Sequence, residues 1–187
     1  MENNAPLPRR FFARSAEIVA RELLGNYLIR EEEGKCLIVK IVETEGYLGP
    51  QDLAAHSRFG ETQRNRVMFG PPGFAYVYLI YGMYYCLNVV TEKEGIGAAV
   101  LLRAAEPVKN VAEKTSGPGL LCKALHINKS LYGTDMAKFG PLYFVLGKNV
   151  PEEQIAAAPR VGAAYAGIWA EEKLRFYLKN NPFVSRR

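Results

Sequence analysis

The clearest hydrophobic pattern along this chain is the two-residue alternation typical of β-strands. Residues 36–44 (CLIVKIVET) show it, and residues 27–30 form a second predicted strand joined to them through the acidic turn EEEGK. The far end of this hairpin carries Glu43 and Glu45. Because residues two apart in a strand project from the same face, we expect both carboxylates on one side of a sheet.

A second predicted hairpin is rich in tyrosine. Residues 74–80 and 83–91 favour strands because they combine aromatic and β-branched residues, and Tyr81-Gly82 separates them as a turn. Strand tyrosines usually pack in a core or on a sheet surface, and we expect this for two of the four, Tyr76, Tyr78, Tyr84 and Tyr85. Tyr81 differs, because a ring at the tip of a turn stands in water unless a partner receives it.

The remaining pattern predicts helices and shorter strands around these hairpins. Ser15 is the predicted N-cap of a helix that stops at Gly25-Asn26, Pro50 begins a one-turn helix that ends at His56, and residues 120–125 form a third helix. Other strands are predicted at 98–104, 142–146 and 174–178, a loop at 57–73, and a flexible lead-in at 1–14. We expect an α+β fold in a single domain spanning 1–187.

Composition limits the class of protein. A chain of 187 residues that is 49% apolar can fill one core and is short for two. The net charge of +5 and the pI near 9.1 favour an acidic partner such as nucleic acid, although an ordinary solvated surface carries such a charge about as often. The apolar run 74–90 is broken by tyrosines, a glycine and an asparagine and is shorter than the roughly 20 residues of a membrane span. We therefore expect no membrane anchor.

The cysteines point to a reducing compartment. Cys36, Cys86 and Cys122 lie far apart and form no CxxC pair, so neither a disulfide framework nor a zinc site is predicted. The first residues contain no continuous apolar segment, so a secretion signal is not predicted. We expect a protein of the cytoplasm, or of the nucleus if the source is eukaryotic.

Glutamate, tyrosine and histidine near the end of the first hairpin are candidates for acid–base chemistry. Burial raises the pKa of a glutamate, which lets the carboxylate take a proton from water. A solvated strand end is nevertheless the commoner position of a single glutamate, and a helix end that of a lone histidine such as His56. Spacing alone does not separate Glu45 from Glu43. His126, the other histidine, has no catalytic neighbour in sequence and is assigned a structural role.

An exposed aromatic ring beside basic residues suits nucleic acid, since the ring can replace or stack on a base while arginines hold phosphates. The candidate ring is Tyr81, and the candidate arginines are Arg58, Arg64, Arg66 and Arg103. With the glutamate, tyrosine and histidine, they are typical of an enzyme that extrudes a base from a duplex. No lysine lies between Lys40 and Lys93, so we expect water, and not a lysine amine, as the nucleophile.

Longer motifs resemble the alkyladenine (3-methyladenine, methylpurine) DNA glycosylase family from about residue 10 onward. These motifs are IVETEGYLGPQDLAAHS, NRVMF, YVYLIYGMYYCLNV, AAVLLRAAEP, KALHINKS, PRVGAAYAG and LRFYLKNNPFVS. The resemblance implies a curved antiparallel β-sheet with peripheral helices and a projecting β-hairpin. It also implies a monomer that binds double-stranded DNA, uses no metal or other cofactor, and starts base excision repair as a monofunctional glycosylase. The implied substrates are 3-methyladenine, 7-methylguanine, hypoxanthine and ethenoadenine.

The same resemblance assigns roles to single residues. Glu45 is the expected general base that activates water for attack on the sugar C1′, and Arg103 helps to hold that water. Tyr47 and His56 are the expected walls around the extruded purine, with Tyr78 on the opposite side. Asn88 is expected to exclude the 2-amino group of guanine.

For contacts with DNA, the resemblance makes Tyr81 the expected intercalating side chain. Met83 and Tyr84 are expected beside the minor groove. Arg64 is also an expected DNA contact, but as one of the arginines beside the exposed ring and not through the resemblance. Leu120 departs from the family, in which a lysine often occupies this position, so one phosphate contact is expected to be missing. Two other functions stay open: a non-catalytic module that binds damaged DNA, and a glycoside hydrolase or nucleosidase that uses Glu43 and Glu45.

Overall fold

The computed structural model describes residues 5–186. Within this range eight strands form one antiparallel sheet that curls into half a barrel. The strands are β1 (Tyr27–Glu32), β2 (Lys35–Tyr47), β3 (Ala75–Ile80), β4 (Tyr84–Thr91), β5 (Ala98–Lys109), β6 (Leu142–Val145), β7 (Ile155–Ala158) and β8 (Arg175–Leu178). Their main order is β3-β4-β5-β2-β1-β6, and β8 pairs with both β2 and β7.

Helices and 3₁₀ turns surround the sheet, which confirms the α+β class. The helices are α1 (Arg9–Phe12), α2 (Ala16–Glu22) and α3 (Pro118–Ala124). The 3₁₀ turns cover His56–Phe59, Arg66–Phe69, Lys129–Leu131, Glu152–Gln154 and Ala164–Ala170. Both predicted hairpins, the strands at 98–104, 142–146 and 174–178, and the helix near 120–125 are confirmed to within a few residues at most of their ends.

The main core lies between the sheet and α2. Ser15 caps α2 as expected, because its hydroxyl accepts a hydrogen bond from the N–H of Ile18 at 3.3 Å. Val19 and Ala20 of α2 are fully buried against apolar side chains of β2 and β5. The hydroxyl of Thr44 donates to the carbonyl of Ala20 at 2.7 Å. The helix therefore covers one face of β2 and leaves the other face available for a site.

The prediction of a flexible lead-in at residues 1–14 is wrong for those of them that the structure describes. Residues 9–12 form α1. Phe12 is fully buried: its ring packs against that of Phe144, and both belong to the main core together with Leu131. The carbonyls of Phe12 and Arg14 both accept from the N–H of Glu92 at 3.1 Å. The prolines of this segment suggested flexibility, but burial of aromatic surface of the two phenylalanines stabilises one conformation. Residues 1–4 lie outside the described residues.

Three boundaries near the site differ from expectation. The one-turn helix at Pro50 is wrong: residues 50–54 form turns, and His56 begins a 3₁₀ turn and does not end one. Strand β2 continues to Tyr47 and β5 to Lys109, beyond the predicted ends at 44 and 104. Long partners extend both strands, since β2 pairs with β1, β5 and β8. Strand β7, rich in alanine, carries too weak a pattern to be predicted.

A β-bulge in β2 turns its polar end away from the main core. The pairing with β5 shifts between Ile41 and Glu43, so that Val42 is an extra residue, and shifts back past Arg103. Ile41 packs in the main core, whereas Val42 contacts Ala104 and Val184 on the other face. Without this shift the glutamates would follow Ile41 into the apolar core. The bulge therefore directs Glu43 and Glu45 to the face that carries the cavity.

Candidate active site

Glu45 lies in the wall of a cavity beside the ends of β2 and β5. Its side chain is fully buried, and its carboxylate accepts two hydrogen bonds and forms one ion pair. The backbone N–H of Val161 donates to Oε1 at 2.8 Å, and the hydroxyl of Tyr47 donates to Oε2 at 3.0 Å. The guanidinium Nη1 of Arg103 lies 3.4 Å from Oε1. The carboxylate is thus oriented from three directions by β2, β5 and the segment after β7.

Burial raises the pKa of Glu45 above its ordinary value, and it is the largest influence on this group. Arg103, the N–H of Val161 and the hydroxyl of Tyr47 all act in the opposite direction because they stabilise the anion. Burial also raises the pKa of Tyr47 well above its ordinary value, so the phenol keeps its proton and stays a donor. The result is a carboxylate that is more basic than one in water, as general-base catalysis requires.

Glu43 has a different environment on the same face. Its Oε1 accepts from Nη1 of Arg175 at 2.7 Å, and its Oε2 accepts from the N–H of Ser185 at 2.7 Å. The Nε of Arg103 lies 3.4 Å from Oε1 and also donates to the hydroxyl of Ser185. Both oxygens of Glu43 are therefore used by protein groups. Both glutamates thus have their two oxygens engaged, but of the two only Glu45 lines the cavity, a difference that the sequence could not show.

Arg103 connects the two carboxylates. It contacts Glu43 through Nε and Glu45 through Nη1, and the residue is buried. Two negative groups at similar distances hold the guanidinium in place from both sides. Arg103 therefore lines the cavity beside Glu45 in a fixed position.

The cavity has a volume of about 610 Å³, within the range of pockets that bind small ligands. Aromatic rings form much of its wall, from β2, the first 3₁₀ turn, β3 and the fifth 3₁₀ turn: Tyr47, His56, Tyr76, Tyr78 and Tyr165. Such rings offer flat faces to a planar ligand. The expected substrate-binding residues Tyr47, His56, Tyr78 and Asn88 all lie in this wall.

Tyrosines of β3 hold the ring of His56. The hydroxyl of Tyr76 lies 2.8 Å from Nδ1, and the ring of Tyr78 makes an edge contact with a centroid distance of 4.6 Å. The pKa of His56 is lowered to about 4, first by burial among these groups and then by the charges of Arg64 and Arg58. Although water reaches the ring at the cavity mouth, the imidazole is neutral at neutral pH. A neutral ring can lie beside a cationic ligand without repelling it.

A buried ion pair supports the wall at Tyr47. Arg160 and Asp52 have fully buried side chains and make two hydrogen bonds, at 2.5 and 2.8 Å. The guanidinium of Arg160 also donates to the carbonyl of Gly46 and lies 4.8 Å from the centroid of the Tyr47 ring. Its chain neighbour Val161 supplies the N–H to Glu45. The pair therefore fixes both a wall of the cavity and a donor to the carboxylate.

Asn88 closes the inner end of the wall from β4. The residue is buried, and its Nδ2 donates to the carbonyl of Tyr76 at 3.1 Å. This bond prevents the amide from turning away from a ligand. Cys86 and Leu101 line the cavity near Asn88 and make this end partly apolar.

The tyrosine hairpin projects beside the cavity mouth. The side chain of Tyr81 is 85% exposed, and Met83 and Tyr84 are also exposed. Tyr81 and Gly82 both have positive φ, 52° and 70°, as in a type I′ turn, and the N–H of Met83 donates to the carbonyl of Ile80 at 3.2 Å. The fold thus holds a large residue in a conformation that favours glycine or asparagine.

Two neighbours contact this hairpin next to its turn. Arg64 is exposed, donates to the carbonyl of Leu79 at 3.2 Å and lies 5.4 Å from the Tyr78 ring centroid. Gly119 of α3 touches Tyr84 so closely that a Cβ there would lie 2.9 Å from three atoms of the tyrosine. Leu120, at the position where a lysine was expected from the resemblance, lines the cavity.

Several site residues were not identified from sequence. Val161, Tyr76, Tyr165 and the pair of Asp52 and Arg160 lack an acid–base pattern in sequence, and Val161 acts through its backbone. The motif PRVGAAYAG contains Arg160, Val161 and Tyr165 and was the available signal. His126 lies away from the cavity and contacts Glu32 at 2.5 Å.

Two kinds of feature are absent from residues 5–186. In this range no group of three or more His, Cys, Asp and Glu residues is arranged to hold a metal ion. The described helices are also too short or too polar to cross a membrane.

Comparison with known proteins identifies the family. The family model for "Methylpurine-DNA glycosylase (MPG)" matches residues 10–182. A protein of Legionella pneumophila (strain Corby), named "Putative 3-methyladenine DNA glycosylase", is 53% identical over 181 residues, which cover 96% of this chain and 98% of the relative. Proteins of the same name from Anaeromyxobacter sp. (strain Fw109-5) and Methanocella arvoryzae are 52% and 49% identical. These alignments cover 96% and 97% of this chain, and 92% and 96% of the relatives. The chain belongs to the methylpurine-DNA glycosylase family and is a DNA glycosylase.

Proposed function

We propose that this DNA glycosylase extrudes a damaged purine from duplex DNA and hydrolyses its N-glycosidic bond with water activated by Glu45. The observation that carries the proposal is the buried carboxylate of Glu45, held by Val161, Tyr47 and Arg103 at the inner wall of an aromatic cavity. Proton removal by Glu45 would prepare water for attack on C1′ while the purine leaves with the bond electrons. The chain belongs to a family of enzymes, and this gives no support to the alternative of a non-catalytic module that binds damaged DNA.

Extrusion of the base is supported by the shapes of the cavity and the hairpin. A carboxylate buried in a pocket cannot reach C1′ of a nucleotide that stays stacked in a duplex. Tyr81 stands exposed next to the pocket and is the side chain suited to fill the space that the purine leaves. His56 begins a 3₁₀ turn, and its N–H has no acceptor within residues 5–186, so this donor is available to an acceptor on the base.

The cavity wall favours alkylated purines. A cationic purine such as 3-methyladenine or 7-methylguanine stacks well on tyrosine rings and is already a good leaving group. Hypoxanthine and ethenoadenine are neutral and depend more on the activated water. Asn88, held by its bond to Tyr76, would collide with a 2-amino group and so discriminate against normal guanine.

We propose that a monomer acts on the duplex, because the carboxylate of Glu45 already has its contacts from Val161, Tyr47 and Arg103 of its own chain. The net charge of +5 favours the phosphate backbone. Arg64, Met83 and Tyr84 are the proposed DNA contacts around Tyr81. DNA as the substrate means that the protein works in the compartment of the chromosome.

The test is base release from defined duplexes. The protein is incubated with duplexes that contain hypoxanthine, ethenoadenine or 7-methylguanine, and abasic sites are then cleaved with alkali. We expect cleavage only after alkali, because the mechanism uses water and no lysine amine. Cleavage without alkali, or no abasic sites from any lesion, would contradict the proposal. Release of purine from free nucleosides that survives Tyr81→Ala would support the nucleosidase alternative instead.

A further inference from the structure

A second exposed aromatic surface lies beside the cavity mouth. It consists of Arg58, Phe59 and Tyr165, and we call it the aromatic platform. Phe59 is 81% exposed and Tyr165 is 63% exposed. The guanidinium carbon of Arg58 lies 4.5 Å from the ring centroid of Phe59 and 5.2 Å from that of Tyr165. The platform therefore joins two exposed rings through one cation.

The turn that carries Phe59 is firmly held. Asn65 is buried, and its Nδ2 donates to the carbonyls of His56 and Gly60 at 3.0 and 3.1 Å, at the two ends of the turn. Its Oδ1 accepts from the N–H and the hydroxyl of Thr62. Arg58 donates to the carbonyl of Leu53. Phe59 projects into water from a fixed support.

The platform continues into the cavity. Tyr165 lines the cavity wall, and its hydroxyl donates to the carbonyl of Ala54 at 3.2 Å. His56, which also lines the cavity, lies in the same 3₁₀ turn as Phe59. A polymer whose nucleotide enters the cavity therefore has its adjoining residues near the platform.

The charge of this segment favours a polyanion. Residues 56–66 contain three arginines, Arg58, Arg64 and Arg66, and one acidic residue, Glu61. A protein partner would gain from the apolar rings alone, whereas a nucleic acid uses both the rings and the cation. We therefore favour a nucleic acid over a protein as the partner, because the platform combines an exposed ring, an adjacent guanidinium and continuity with the cavity.

We propose that the aromatic platform binds an unpaired nucleobase of the DNA strand next to the extruded purine. The base stacks on the ring of Phe59, and Arg58 neutralises the adjoining phosphate. This inference rests on the proposed function, because it requires a nucleotide of that strand in the cavity. It extends the substrate range to lesions whose neighbouring bases are unpaired.

The test compares Phe59→Ala with a matched control, Phe139→Ala. Phe139 is 64% exposed and packs edge-on against Tyr143, with a centroid distance of 5.4 Å. Both changes are made in the Glu45→Gln protein, so that the probe stays intact. Dissociation constants are measured by fluorescence anisotropy for a hypoxanthine-containing single strand and for the same strand in a fully paired duplex.

We expect Phe59→Ala to weaken binding of the single strand about fivefold to tenfold and binding of the duplex less than twofold. Phe139→Ala is expected to change neither by more than twofold. In the single-strand series Arg58→Ala should lower the slope of log affinity against log salt by about 0.7, and Phe59→Ala should leave the slope unchanged.

Each other result overturns the inference. An unpaired base at Phe59 is excluded if the Phe59→Ala protein binds the single strand as tightly as the Phe139→Ala protein does. It is also excluded if Phe59→Ala weakens binding of the single strand and of the duplex equally. A parent protein that binds the duplex but not the single strand also excludes it, while the proposed function survives. A parent protein that binds neither probe and a wild type that releases no base would end both proposals together.

Discussion

Among single residues, the two buried glutamates differ in their position relative to the cavity, a difference that the sequence does not show. Glu43 and Glu45 lie two residues apart on one face of β2 and share Arg103. Glu43 uses its oxygens for Arg175 and Ser185, whereas Glu45 is held at the cavity wall. A buried carboxylate is costly unless it is well paired, so both are retained in fixed geometry. Glu43 lies beside the site, and Glu45 faces the cavity.

His56 predicts a pH dependence of stability. Its pKa is lowered from 6.5 to about 4 in the folded protein. As pH falls from about 6.5 to about 4, the unfolded chain takes up a proton that the folded chain does not, so folding loses free energy in this window. His56→Gln should therefore show a smaller loss of unfolding free energy across it. Because water reaches the ring at the cavity mouth, the difference is smaller than full burial would produce.

Chemical denaturation at pH 7, 5.5 and 4 measures this difference. Glu45 acts in the opposite direction, since its pKa is raised, but it is the same in both proteins and cancels in the comparison. Identical pH dependence of the wild type and His56→Gln would mean that the imidazole is not held neutral.

The residue types at the site could be predicted from the sequence, but their contacts could not. Tyr47, His56 and Glu45 stand in one motif, so their proximity follows from chain continuity. Val161 contacts Glu45, and Arg160 pairs with Asp52 behind the cavity wall, each from more than a hundred residues away along the chain. Neither a backbone N–H nor a buried ion pair leaves a pattern in the sequence. Pairing across the sheet, not local order, determines these contacts.

At the scale of elements, the turn of the β3 and β4 hairpin holds its tyrosine in an unfavourable backbone conformation. Tyr81 has a φ of 52°, a left-handed conformation that costs a residue with a Cβ roughly 1 kcal/mol or more. An asparagine tolerates this conformation better. The fold keeps a tyrosine at the position where turn chemistry favours a small polar residue, which indicates a use for the ring.

We therefore expect Tyr81→Asn to increase the free energy of unfolding by about 0.5 kcal/mol or more and to reduce base release from duplex DNA about tenfold or more. Urea denaturation and a single-turnover excision assay measure the two effects. Glu33→Asn is the matched control, because Glu33 and Gly34 form the corresponding turn of the β1 and β2 hairpin with φ values of 47° and 76°. It should increase stability and leave excision unchanged. A stabilised Tyr81→Asn protein with full duplex activity would remove the role of the ring.

The strands and hairpins were predictable because alternation and turn residues are local signals. The β-bulge at Val42 was not, since a register shift depends on the partner strand. The same limit applies to α1, where Phe12 is buried by distant residues such as Phe144. Local pattern identifies an element, while its partners fix its ends and irregularities.

For the whole molecule, the segment after β8 closes the site from outside the sheet. Val184 packs on Val42 and Ala104, the N–H of Ser185 binds Glu43, and the carbonyl of Arg186 accepts from Arg175. The segment thus completes the surroundings of a buried charge that lies next to Arg103. The integrity of the cavity depends on residues that line none of it.

Deletion of residues 183–187 should lower the free energy of unfolding by about 2 to 5 kcal/mol. The deletion removes buried apolar surface, and it leaves a buried carboxylate oxygen of Glu43 without its hydrogen-bond donor. Ser185→Ala is the control: it keeps the N–H to Glu43 and removes only the hydroxyl that accepts from Arg103. Its stability should change by less than about 1 kcal/mol. Thermal and urea unfolding test both, and equal stabilities of the deletion and the wild type would contradict this account.

The central claim is that Glu45, and not Glu43, activates the water. The direct measurement is the single-turnover rate of hypoxanthine release by the wild type, Glu45→Gln and Glu43→Gln, each shown to be folded by circular dichroism at the assay temperature. We predict that Glu45→Gln slows release by about 10² to 10⁴-fold, while folded Glu43→Gln stays within about tenfold of the wild type. Near-normal release by Glu45→Gln, or an equal loss in a folded Glu43→Gln protein, would contradict the claim.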